Sequence, residues 1–139
     1  MPSILVVDTG PLVALFDRDD QHHANALAWI GSIGNDELIT TLAVITEVDH
    51  LLQCAPACRA DFLEWLSRGA VEILGITAAE VERISVLCRK YIDVPMDLAD
   101  ASLVALCERL DTRRIATCDA DFQVYRLNRN RTFQNTFTA

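Results

Sequence analysis

The 139-residue chain holds one lysine, Lys90, and its 20 acidic residues outnumber its 12 basic ones. The resulting formal charge of -8 argues against a protein that binds nucleic acid by surface charge alone. No run of 18 apolar residues occurs, so no membrane-spanning helix is expected. The first apolar run, Ile4 to Val7, follows no basic leader and is stopped by Asp8, so it does not read as a signal peptide. The five cysteines, at 54, 58, 88, 107 and 118, form no CxxC pair. Zinc knuckles and dithiol redox chemistry are thereby disfavoured, and the expectation is reduced, buried thiols in a cytoplasmic protein. Cys54 and Cys58 are separated by Pro56, which makes a helical pair doubtful. Gly10 stands alone after the first apolar run, and no GxxxxGK[ST] is present, so dinucleotide and P-loop readings fail. A phospho-acceptor receiver domain needs a lysine after a late strand, and Lys90 sits in a helical pattern instead.

Apolar and β-branched runs alternate with helical patterns along the rest of the chain. Strands are expected at 3–7, 38–42, 71–74 and 115–118, with a last edge strand at 132–137. Helices are expected from Pro11 to Phe16, 22–33, 43–53, 56–69, from Thr77 to about Tyr91, 98–110 and briefly near Phe122. Thr77 with Glu80 three residues later forms a capping-box pattern. This alternation predicts a single domain over 1–139, built as a three-layer α/β/α sandwich with a mostly parallel sheet.

Acidic residues fall at particular points of that plan. Asp8 and Asp119 follow strands, Glu47 lies early in the helix after the second strand, and Asp97 and Asp100 open the helix at 98–110. Strand ends and helix starts meet at the ligand-binding edge of a parallel sheet. Clustered carboxylates repel and stay ionised together only beside a cation. Their hard oxygens suit Mg²⁺ or Mn²⁺, as one or two ions, better than zinc. Asp97 also reads as a helix cap and Asp119 as a turn residue. Glu47 is harder to assign a structural role, because it interrupts the apolar stretch ALAVITEV. The three arginines at 126, 129 and 131 lie in a C-terminal stretch without acids and are candidates for contacts to a phosphate backbone. His22 and His23 read as rim residues, and His50 shares a helix with Glu47.

The segments VVDTGPLVALFDRDDQHH, TEV around Glu47, DLADASLVALCERL and IATCDADFQVYR resemble the PIN-domain family. Within it they resemble the VapC-type toxin ribonucleases of toxin–antitoxin pairs. The resemblance runs from Ile4 to about Arg126. It implies a metal-dependent endoribonuclease whose acidic quartet is Asp8, Glu47, Asp100 and Asp119. Asp97 and Asp121 match less widespread acids, and Thr9 and Thr117 match hydroxyl residues beside the first and last acids. It also implies a homodimer restrained by a small antitoxin. Leu12, Leu15, Phe16, Leu51, Leu52 and Trp65 are candidates for the apolar groove such a partner would need. The competing functions are a single-strand DNA nuclease or phosphatase using the same ions, and a non-catalytic RNA-binding PIN module.

Overall fold

The computed structural model describes residues 3–137. Its elements run β1 (Ile4–Val7), α1 (Thr9–Phe16), α2 (His23–Ser32), β2 (Glu37–Thr41), α3 (Leu42–Leu51), α4 (Pro56–Ser67), β3 (Glu72–Leu74), α5 (Ala78–Lys90), α6 (Leu98–Arg109), β4 (Arg114–Ala116) and β5 (Gln134–Asn135). The strands form one five-stranded sheet in the order β3-β2-β1-β4-β5, and each pairing is parallel. Helices complete the expected three-layer α/β/α arrangement.

Local chemistry sets the element boundaries. Leu5, Val6 and Val7 are completely buried, as expected for a central strand covered on both faces. Four helices start on a side chain that accepts a backbone N–H: Asp8 for α1, Thr41 for α3, Thr77 for α5 and Asp97 for α6. Such a cap satisfies an otherwise orphaned donor, typically worth about 1 kcal/mol. Thr77 and Glu80 form the reciprocal box anticipated for α5, and Asp97 and Asp100 form a second one on α6. Pro56 supplies the fixed first turn of α4.

Helix α6 is the centre of the fold. From Ala101 to Cys107 every residue is buried, so it is wrapped by protein on nearly all sides. It packs on β1, β2, α3 and α5. Each fully buried Leu, Val or Phe of this core contributes roughly 1.5–3 kcal/mol by burial.

Several boundaries and environments differ from expectation. β2 ends at Thr41, which turns to cap α3. β5 is confined to Gln134–Asn135. Its flanks are held by side chains instead: Arg113 donates to the Thr132 carbonyl and hydroxyl, and Asn135 bonds Thr117. All five cysteines are free, but only Cys107 is buried, while Cys54 and Cys118 are exposed. Leu12 and Leu52 are core residues with no exposure, so they cannot line a groove. Phe16 packs edge-on against Phe62 and tilted against Trp65, leaving Leu51 as the one openly exposed member of the anticipated groove set.

Candidate active site

The strand order places a switch point between β1 and β4. The chain leaves β1 toward β2 on one side and returns through β4 on the other. A crevice opens at such a point, outside the carboxyl ends of the strands. Asp8 follows β1 and Asp119 comes three residues after β4, so both lie at this crevice. The N-terminus of α6 adds Asp97 and Asp100, and α3 adds Glu47. Together with Thr9, Gly10, Leu51 and Cys118, they line one cavity of about 330 Å³. An adjoining cavity of about 430 Å³ is lined by Pro95, Met96, Asp97, Asp100, Asp119 and Asp121.

Asp8 is the most firmly held of these acids. It is 6% exposed. One carboxylate oxygen accepts from the Thr9 N–H at 2.7 Å and the other from the Thr117 hydroxyl at 2.7 Å. The Thr117 hydroxyl in turn accepts from the Asp119 N–H at 2.9 Å. A single threonine therefore sets the spacing of the first and last acids. Asp119 also caps a turn by accepting from the Asp121 N–H, which orients Asp121 toward the adjoining cavity.

Asp100 accepts from the Asp97 N–H at 3.2 Å, and Asp97 accepts from the Asp100 N–H at 2.8 Å. The capping role read for Asp97 is thus real, and it coexists with a place in the pocket wall. A hydroxyl bridge, Thr41 to Ser102 at 2.8 Å, ties the start of α3 to the second turn of α6. Ser102 donates to the Ala99 carbonyl, so the bridge is anchored. It fixes the helix bearing Glu47 against the helix bearing Asp100. Sequence reasoning missed this pair, because a serine and a threonine 61 positions apart leave no periodic signal.

Gly10 is a packing requirement. A Cβ there would lie 2.9 Å from both Cβ and Sγ of Cys118. Only glycine lets α1 approach the end of β4 this closely, which is what brings Asp8 beside Asp119.

The electrostatics are those of a pocket awaiting positive charge. Burial raises the Asp8 carboxyl to about 6, with Asp119 and Glu47 adding repulsion against the opposing pull of Thr117 and Thr9. Burial, and then the Asp97 charge, raise Asp100 to about 8. Glu47 is also raised, by burial and then by Asp97, with the Thr9 hydroxyl working the other way. That hydroxyl is itself buried and has no well-formed hydrogen bond. Among the described residues no three acids close on a single point at ligand distance. Four mutually repelling carboxylates have no reason to do so without a cation. The donor set of hard oxygens, the raised acids and the orphaned Thr9 hydroxyl all fit a divalent metal ion.

Other candidates are placed elsewhere. Arg131 pairs with Asp111, just beyond the C-terminus of α6. With 12 residues, α6 spans about 18 Å, so Arg131 stands at its far end from Asp100. Arg129 belongs to the same turn, whose Asn128 N–H donates to Glu108. Arg126 is nearer, since the preceding Tyr125 donates to the Pro95 carbonyl, but its guanidinium caps the carbonyls of residues 123–125. His23 Nδ1 bonds the Ala14 carbonyl. His50 lines a groove of about 600 Å³ that shares Glu47 and Asp97 with the acidic cavity.

A parallel sheet with carboxylates gathered at its switch point defines an acid-lined α/β domain. A PIN-domain family model matches residues 5–127. Ribonuclease VapC26 of Mycobacterium tuberculosis is 34% identical over 117 residues, covering 83% of this chain and 86% of the relative. The chain belongs to the PIN-domain family. Among solved structures, Mycobacterium tuberculosis VapC20, a Sarcin-Ricin loop cleaving toxin, matches with a TM-score of 0.78 at 20% identity, over 86% of this chain and 93% of that one. VapBC2 from Rickettsia felis, bound to a DNA fragment from their promoter, matches with a TM-score of 0.66 at 13% identity, over 95% and 98%. These two likenesses concern the fold.

Proposed function

We propose that this chain is a metal-dependent endoribonuclease and the toxin of a toxin–antitoxin pair. The observation that carries the reading is the buried Asp8, held from both sides and faced by Glu47, Asp100 and Asp119 in one cavity. The kinship with a ribonuclease over most of the chain supports RNA as substrate. Mg²⁺ or Mn²⁺ bound there supplies Lewis-acid activation of water and neutralises charge on the phosphate.

The residues of the chain divide the remaining work. Asp8 is the central ligand, because its two hydrogen bonds leave its orientation no freedom. Asp100 and Asp119 complete the metal-binding wall from α6 and the end of β4. Glu47 faces them from α3 and, with its raised proton affinity, orients the attacking water and takes its proton. Thr117 holds Asp8 and Asp119 in register, and the free Thr9 hydroxyl is available to a phosphate oxygen or a ligand water. Asp97 positions Asp100, and Asp121 extends acidity along the adjoining cavity.

The surface beside the site supports protein partners. The groove between α3 and the start of α6 is flanked by Leu42 and Leu98, each more than half exposed. We assign it to a second copy of the chain. A small antitoxin would place a basic side chain at the acidic cavity. No helix among the described residues is long and apolar enough to cross a membrane.

Cleavage of single-stranded RNA by purified protein with Mg²⁺, Mn²⁺ or EDTA tests the core of this reading. Metal-dependent cleavage lost in Asp8→Asn is expected. Equal cleavage by wild type and variant would overturn it. Light scattering tests the dimer, and co-purification with the product of a neighbouring small reading frame tests the antitoxin.

A further inference from the structure

A second cavity, of about 290 Å³, opens on the other side of Asp119. Phe122, Phe133, Phe137 and Gln123 line it, and it shares Cys118 and Asp119 with the acidic cavity. Its character differs from that of its neighbour. Three phenylalanines contribute to its walls, and Phe122 and Phe133 meet edge to face at 5.2 Å between centroids. Phe122 and Phe137 are buried, while Phe133 is partly accessible. Gln123 stands exposed at the rim and offers an amide donor and acceptor.

Those walls are tied firmly to the catalytic strand. The Asn135 side chain accepts from the N–H groups of Thr117 and Phe137 and donates to the Thr117 carbonyl. A side chain thus continues the β4–β5 pairing after the strands end. The same Thr117 positions Asp8 and Asp119. The aromatic walls and the acids therefore share one scaffold.

Resting on the ribonuclease reading, we propose that this cavity receives the base of a nucleotide adjoining the scissile phosphate. The shared Asp119 wall puts a phosphate at the acidic cavity within one nucleotide of the aromatic one. Among the described residues no basic side chain lines the second cavity, which disfavours a phosphate there. A neutral planar base suits it: the partly accessible Phe133 ring to stack on, the outer edges of Phe122 and Phe137 to pack against, and one amide to read the base's hydrogen-bonding edge. Stacking of this kind is tolerant of sequence, so discrimination between bases falls to Gln123.

The test uses short single-stranded oligoribonucleotides that differ only at the positions flanking the cut, including an abasic residue at each. Wild type should cleave the abasic substrate at one flanking position roughly five- to a hundredfold less efficiently, the range expected for losing one stacked base. Gln123→Ala should flatten the ranking of the four bases there. Phe133→Leu should lower kcat/KM for intact substrates by about tenfold but leave the abasic substrate unchanged. The Mn²⁺-induced rise in melting temperature should persist in both variants, because neither touches the acids. Indifference of wild type to an abasic residue at every flanking position overturns the proposal. So does a loss in both variants that is equal for intact and abasic RNA, which marks the cavity as structural or as a seat for protein. If wild type cleaves no RNA with any metal, the ribonuclease reading itself falls.

Discussion

Asp8→Asn separates the two demands made on the buried acid. In the metal-free protein above neutral pH, Asp8 is ionised although its carboxyl has been raised from 3.8 to about 6. Each unit corresponds to about 1.4 kcal/mol, so ionisation there disfavours the fold by about 3 kcal/mol. Burial is nearly complete, so solvent screening gives little discount. Asparagine keeps an oxygen for the Thr9 N–H but turns an amide toward Thr117, a mismatch worth about 1 kcal/mol. The net expectation is a variant about 2 kcal/mol more stable at pH 8 in chelator, or roughly 6 °C in melting temperature. The direction with pH follows from the raised carboxyl. Wild type recovers stability as it takes up the proton, so the gap should narrow as pH falls through 6 and nearly vanish near 4. Adding Mn²⁺ should reverse the order at pH 8, because the ion stabilises the protein that binds it. Thermal melts of both proteins at pH 8, 6 and 4, with and without metal, give the answer. A variant less stable than wild type at pH 8 in chelator, or a gap that ignores pH, would refute the account of Asp8 as a strained, metal-awaiting ligand.

Asp100→Asn should cut the Mn²⁺-induced rise in melting temperature well below that of wild type, and an equal rise in both would remove Asp100 from the metal wall. Thr117→Val deletes the donor to Asp8 and the acceptor for the Asp119 N–H, so RNA cleavage should fall at least tenfold with the fold retained by circular dichroism. Gly10→Ala forces a methyl group against Cys118 and should lower stability by about 1–3 kcal/mol in denaturant titration. Arg131→Ala should leave kcat/KM for RNA unchanged, and a severalfold loss would return that residue to the list of phosphate contacts.

Much of the fold can be read in the sequence because its signals are local. The β-branched ILVV run marks a central strand, and Thr77 with Glu80 marks a helix start. The placement of the acids was legible for the same reason, since strand ends and helix starts converge on one edge whatever fills the core. What escaped was set by contacts across the chain. Thr41 meets Ser102, and the Asn135 side chain stands in for a strand partner of Thr117, with no pattern in the sequence to announce either. The C-terminal arginines looked alike as an acid-free cluster, yet their roles diverge: one closes a turn, one pairs at the far end of α6 and one sits in a left-handed turn. The exposed Cys118 was misjudged because composition cannot distinguish a thiol in the core from one at a pocket wall.

The Thr117 hydroxyl and the Asp8 carboxylate that it holds are 109 positions apart. During synthesis, then, the first acid is made early and waits without its partner until β4 has emerged and inserted beside β1. No shorter intermediate has the two walls of the cavity. Because β4 pairs directly with β1, the strand that completes the site also completes the centre of the sheet. The acidic cavity therefore arrives together with the folded state, and a chain that ends before β4 lacks the wall that Asp119 supplies.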